Sequence, residues 1–126
     1  MATKAHVVQE AYEAFGRGDI PAILGMLDDG VVWSSPGTLP HGGTFKGPDE
    51  VGQFFSGLGA SWEGLGLDVE AVDELAGDLV VGVVQARGTR MGTGAAVSYG
   101  AVHVFSVRDG RITRFREYTH LDGPLG

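Results

Sequence analysis

The residues best suited to chemistry in this chain are His103 and Glu117, both set in strand-like, apolar surroundings near the C-terminal end. An imidazole beside a carboxylate is a proton-transfer unit. The carboxylate holds the ring in one tautomer, and the ring can take a proton from a carbon acid or hand one to a developing enolate. Such general acid–base help is worth about 10²–10⁴-fold in rate. The same two residues also admit plain structural roles. His103 could simply brace its strand through Glu117 or a carbonyl, and Glu117 could pair with Arg87 or Arg116.

Whether the two groups meet depends on one β-ribbon. Val97 to Val107 and Arg111 to Leu121 read as strands around Arg108-Asp109-Gly110. With a three-residue loop and Gly110 in the left-handed conformation, Val107 faces Arg111, His103 faces Phe115, Ala101 faces Glu117 and Tyr99 faces Thr119. His103 and Glu117 are then diagonal neighbours on one face, together with Tyr99, Phe105, Phe115 and Thr119. The opposite face carries Val102, Val104, Ile112, Arg114 and Arg116 and suits a partly covered outer surface or a dimer contact. A two-residue loop would instead set His103 against Arg116, because register follows loop length.

The rest of the chain must supply the walls. Leu65 to Leu75 and Leu79 to Thr89 are two further strand-like runs, joined at Gly77-Asp78. Three helical stripes precede them. Val8, Tyr12 and Phe15 form the first, with Thr3 as N-cap and a stop at Gly16 and Gly18. Ile20, Ile23, Leu24 and Leu27 form the second, capped by Asp19 and stopped by Asp28-Asp29-Gly30. Val51, Phe54, Phe55 and Leu58 form the third, which starts at Gly47-Pro48-Asp49-Glu50. Val31-Val32-Trp33 reads as a short strand between them. Trp33, Phe45, Tyr99, Phe105 and Phe115 would give flat apolar walls, and His41 sits in a loop that could close the mouth.

Bulk properties narrow the partners. The chain has 126 residues, enough for a single domain spanning 1–126, with 43% hydrophobic and 20% charged residues. A formal net charge of −7 disfavours nucleic acid and anionic membrane surfaces. There is no cysteine, so disulfides and thiolate chemistry are excluded. No apolar run approaches the ~20 residues of a membrane span, and Met1-Ala2-Thr3-Lys4 does not resemble a signal peptide; a cytoplasmic protein is expected. The histidines lack metal-ligand spacing, and Gly42-Gly43 and Gly92-Thr93-Gly94 lack the context of a phosphate loop, so neither metal nor cofactor is expected.

Three segments carry a resemblance. "AYEAFGRGDIPAILGMLDDGVVW" at 11–33, "LPHGGTFKGPDEVGQFF" at 39–55 and "AVHVFSVRDGRITRFREYTHLD" at 101–122 resemble the SnoaL-like domain of the nuclear transport factor 2-like superfamily. That resemblance implies an α+β fold: a cone-shaped, curved, mixed or antiparallel sheet wrapped around three N-terminal helices, with an internal pocket. It also implies pairing of two copies through the exposed sheet face. Against the superfamily's ketosteroid isomerases, Ala11 falls at the helix-1 tyrosine, with Tyr12 roughly 100° round the helix. Ser34 falls at the aspartate base and His103 at the oxyanion aspartic acid. Against its limonene-type epoxide hydrolases, Glu117 in "FREYT" falls at a strand carboxylate, but no second aspartate matches. His120 stands where relatives often carry aspartate.

Two functions are compatible with these residues. One is a cofactor-independent acid–base enzyme of the polyketide cyclase or isomerase type. It would act on a small hydrophobic, polycyclic or aromatic carbonyl compound, with His103 and Glu117 catalytic and with Trp33, His41, Phe45, Tyr99, Phe105, Phe115, Thr119 and His120 around the ligand. The other is a non-catalytic small-molecule-binding or accessory protein of the same fold.

Overall fold

A computed structural model describes residues 3–120. Helix α1 (Lys4–Gly16) and the short α2 (Ile20–Leu24) lead into strand β1 (Leu27–Ser35). Strand β2 (Gly43–Lys46) and helix α3 (Gly47–Ser61) follow, then β3 (Trp62–Glu74), β4 (Leu79–Arg90), β5 (Ala96–Arg108) and β6 (Arg111–His120). The six strands form one curved sheet in the order β2-β1-β6-β5-β4-β3. All neighbours are antiparallel except β1 and β6, which run parallel, so the sheet is mixed.

Local chemistry sets the helix starts as expected. Thr3 accepts a hydrogen bond from the His6 N–H, and Asp19 accepts one from the Ala22 N–H, satisfying donors that a helix start leaves unpaired. The second helix is shorter than its stripe suggests. Leu27 and Asp28-Asp29-Gly30 belong to β1, where the register slips between Leu27 and Val32. Further slips in β3 fall between Glu63 and Gly66 and between Val69 and Ala71. Such bulges bend and twist a sheet, and here they curl it around α1 and α3.

The final ribbon corrects the three-residue loop. Arg108 pairs directly with Arg111, and Asp109 and Gly110 form a two-residue turn, both at positive φ, the backbone such hairpins favour. One extra residue, Thr113, then bulges from β6: Val107 pairs with Ile112, but Ser106 pairs with Arg114. The hydroxyl of Thr113 donates to the Ser106 carbonyl at 3.2 Å. Turn and bulge together restore the expected facing upstream but move every pair by two residues. His103 therefore lies directly opposite Glu117, not diagonal to it, and Ala101 opposes Thr119. Near the turn the facing is reversed: Ile112, expected outside, is fully buried. Leu121 lies outside the described residues.

β2 is the element that periodicity did not reveal. It is short, and among the described residues it pairs with β1 alone, with Phe45 opposite Trp33. Two clusters make the interior. The larger joins Val8, Trp33, Phe54, Phe105 and Phe115, and the smaller joins Leu39, Trp62, Val84 and Tyr99. Tyr12 and Leu58 pack against both, so α1 and α3 close the cone where the site forms.

Candidate functional site

Two adjacent rows of side chains cross the inner face of the sheet. The apolar row runs Phe45–Trp33–Phe115–Phe105–Val80 through β2, β1, β6, β5 and β4. Trp33 and Phe115 stack at 4.0 Å between centroids, and Phe105 meets Phe115 edge-on at 5.1 Å. The polar row lies beside it. Glu117 on β6, His103 on β5 and Gly82 on β4 are successive cross-strand partners, and Ser35 on β1 follows the Ser34–Arg116 pair.

His103 uses both ring nitrogens. Its Nε2 is 2.8 Å from Glu117 Oε2, and its Nδ1 is 2.8 Å from the Tyr12 hydroxyl. The side chains of His103 and Glu117 are only 5% and 9% exposed. With Glu117 ionised and the imidazole neutral, Nε2–H donates to the carboxylate and Nδ1 accepts from the Tyr12 O–H. The ring lies between Phe105 and Phe115, and among the described residues its polar partners are the phenol and the carboxylate.

Electrostatics agree with this arrangement. Burial by itself pushes the Glu117 carboxyl up. The hydrogen bond and charge of His103 outweigh it, with smaller help from Ser35 and His41, and hold the carboxyl below its ordinary value. Ser35 acts as a nearby dipole, since its hydroxyl has no partner of hydrogen-bond geometry among the described residues. Burial, reinforced by the charge of Glu117, pushes the Tyr12 phenol well up, so free tyrosinate does not accumulate there.

Tyr12 is the site residue that sequence reasoning placed only in the core. Ala11 also lines the cavity, but it is Tyr12 that reaches His103. Two signals were present. Tyr12 shares a stripe with Val8 and Phe15, and a buried phenol needs a partner for its hydroxyl. The isolated glycine in Val80-Val81-Gly82-Val83-Val84 marks a close approach: a Cβ on Gly82 would overlap the Tyr12 hydroxyl. Ser34 bonds Thr44 instead of entering the site.

The cavity above these rows is partly open to the surface. Its volume is ≈ 70 Å³, several times the minimum that admits one water. Trp33, His41, Tyr99, Phe105 and Phe115 line it with Tyr12, His103 and Glu117. Three expected ligand contacts lie elsewhere. Phe45 packs behind Phe54 at 5.4 Å because β2 is the edge strand. Thr119 pairs with Ala101 beyond the cavity, and His120 is exposed opposite Gly100; both border a shallow groove with Tyr118. His41 does not stand free at the mouth. It is buried, its Nδ1 accepts from Trp62 Nε1–H at 2.9 Å, and it packs against Phe54. Its pKa is lowered chiefly by burial, with Glu117 opposing and Arg90 assisting. Arg87 pairs with Asp68, and Arg116 reaches toward Tyr118, so Glu117 takes neither arginine.

A curved α+β cone with an apolar cavity and a polar row across its floor defines the nuclear transport factor 2-like class of small-pocket proteins. The chain belongs to the SnoaL-like domain family, whose model matches residues 8–115. No curated protein sequence matches it. Among solved structures, a nuclear transport factor 2-like protein from Burkholderia thailandensis is 30% identical, with a TM-score of 0.89 over 95% of this chain and 92% of its own. TerC, crystallised with polyporic acid, is 25% identical, with a TM-score of 0.82 over 93% of this chain and 91% of its own. A Pseudomonas putida protein named for polyketide cyclases is 21% identical, with a TM-score of 0.80 over 98% and 96% of the two chains, a likeness of fold.

Two predictions follow from this geometry. Gly82→Ala should displace Tyr12 from His103, shifting the His103 imidazole ¹⁵N resonances and costing about 1–3 kcal/mol of unfolding free energy; unchanged resonances would refute the close approach. The second concerns acid. His41 and Glu117 both have lowered values in the folded chain, so each stabilises at higher pH and withdraws that contribution as pH falls. The His41 contribution is present above its ordinary 6.5 and fades below it. That of Glu117 is present above 4.5 and is lost as the pH passes its depressed value. Melting temperature should thus drop in two stages on acidification, with His41→Phe flattening the first stage and Glu117→Gln the second.

Proposed function

We propose that this protein is a cofactor-independent acid–base enzyme acting on a small, hydrophobic, aromatic carbonyl compound, in the manner of a polyketide cyclase or isomerase. The observation that carries the reading is the chain Tyr12 Oη–His103 Nδ1/Nε2–Glu117 Oε2, with both links at 2.8 Å, in an apolar cavity. It has the logic of a hydroxyl–imidazole–carboxylate triad, with a phenol at the reacting end. Because both imidazole nitrogens are engaged, His103 meets the ligand through Tyr12.

In the forward step a carbon–hydrogen bond next to the ligand's carbonyl breaks. Its proton goes to Tyr12 Oη, the phenolic proton passes to His103 Nδ1, and Glu117 faces the resulting imidazolium. The electron pair stays on the ligand as an enolate. Returning the proton to a different carbon isomerises the ligand. If the enolate carbon instead attacks a second carbonyl, a ring closes and the relay protonates the new alkoxide. TerC, with its polyporic acid, supports an aromatic ligand, and the small cavity favours about one ring held inside.

A second reading has its own support. Fully satisfied nitrogens also suit a structural histidine, which would make this a ligand-binding protein without turnover. Deuterium incorporation into small aryl ketones in heavy water, followed by NMR, separates the two. The enzyme reading expects exchange above the buffer rate, cut about 10²–10⁴-fold by His103→Ala and also by Tyr12→Phe. Exchange that survives Tyr12→Phe would remove the phenol from the path, and none in the wild type would favour the binding protein.

We further propose that two copies pair through the outer sheet face. There Val83, Val102 and Tyr118 form one cross-strand row, with Val102 37% and Tyr118 54% exposed. Light scattering should report about twice the 13.2 kDa chain mass, and Val102→Glu should return the protein to monomer without unfolding it.

A further inference from the structure

An enolate formed by the relay places negative charge on the ligand's oxygen inside an apolar cavity, where an unpaired charge is costly. Glu117 repels that charge, and Tyr12 is occupied with His103. The cavity is lined by two further hydrogen-bond donors, His41 and Tyr99, that have no acceptor among the described residues.

The first is His41. Trp62 Nε1–H donates to its Nδ1 at 2.9 Å, which leaves the proton of the neutral ring on Nε2. That nitrogen has no hydrogen bond among the described residues. The loop that carries it is tightly held: Leu39 is buried, the Gly42 N–H donates to the Leu39 carbonyl, and a Cβ on Gly42 would overlap the Pro36 carbonyl. The second is Tyr99. It is 3% exposed, and its hydroxyl likewise has no hydrogen bond among the described residues. His41 and Tyr99 flank the same indole, each 6.2 Å from Trp62 between ring centroids. Both line the cavity, and both feel the charge of Glu117. By contrast, Trp33 Nε1 and Ser35 Oγ, which also lack a partner among the described residues, are fully buried atoms. Burial disfavours the charged forms of His41 and Tyr99 alike, so both remain neutral donors across the neutral range.

We propose that His41 Nε2–H and Tyr99 Oη–H form a two-donor seat for the carbonyl oxygen of the ligand, and hold it as it becomes an enolate oxygen. The substrate class is then an aryl ketone with its carbonyl directed at the Trp62 side of the cavity and its acidic carbon at Tyr12. This assignment rests on the acid–base reading for its chemistry but makes a separate claim about binding.

Acetophenone labelled with ¹³C at the carbonyl tests it, using infrared difference spectra and binding titration. Bound to the wild type, its carbonyl stretch should fall below its position in an apolar solvent. Tyr99→Phe and His41→Phe should each reverse part of that fall and weaken binding about 2- to 12-fold. His41→Gln, which can still accept from Trp62 and donate an amide N–H, should restore part of the fall and guards against simple unfolding. Tyr12→Phe should leave the stretch lowered while removing deuterium exchange. A donor-dependent fall in a protein that exchanges no deuterium would uphold the seat and overturn the relay. A stretch unmoved on binding, a fall insensitive to both donor substitutions, or no saturable binding of acetophenone would overturn the seat.

Discussion

A carboxylate withdrawn from water organises this protein. The side chain of Glu117 is 9% exposed, and burial of an anion is costly unless hydrogen bonds and opposite charge offset it. His103 supplies the offset directly across the strand pair, at 2.8 Å. That contact then constrains its surroundings. The imidazole needs a partner on its other nitrogen, which brings Tyr12 from α1. Tyr12 needs space against the sheet, which Gly82 leaves. The strand pair needs the turn at Asp109-Gly110 and the Thr113 bulge, because without both the two groups would not be opposite each other.

The polar row works because of the apolar row beside it. Trp33, Phe105 and Phe115 pack across three strands and shut His103 off from bulk solvent except through its two hydrogen-bond partners. A low-dielectric setting strengthens each of those bonds and penalises any that is missing. It also separates the chemistry of the histidines. His103 is engaged at both nitrogens and suits proton relay, whereas His41 is engaged at one and suits donation. The same residue type has two uses because the neighbouring side chains differ.

Much of the fold was legible in the residues. The stripes of Val8–Tyr12–Phe15 and Val51–Phe54–Phe55–Leu58, the caps at Thr3 and Asp19, and the four long strands are local patterns, set by helix and strand period. The site was legible in part. His103 and Glu117 stood out as ionisable groups in apolar strands, and Trp33, Tyr99, Phe105 and Phe115 as aromatic walls. Phe45, Thr119 and His120 are equally plausible contacts by residue type but stand at an edge strand or beyond the cavity, and residue type carries no information about such placement. β2 was missed because four residues with one partner strand leave little periodicity to read.

The chain by itself marked two of the helices, the four long strands and the ionisable residues His103 and Glu117, since these follow from short-range periodicity and residue type, and its three quoted segments carried the family resemblance; whether that pair shares a face depended on the turn length and the Thr113 bulge. Tertiary structure alone decided that the pair is directly opposed, that Ile112 turns inward, that Tyr12 completes the relay and that His41 is locked on Trp62. Each of those outcomes depends on a bulge of one residue or on a contact between segments distant in sequence. Local propensity is blind to such contacts, because their energy exists only once the sheet has closed around the helices.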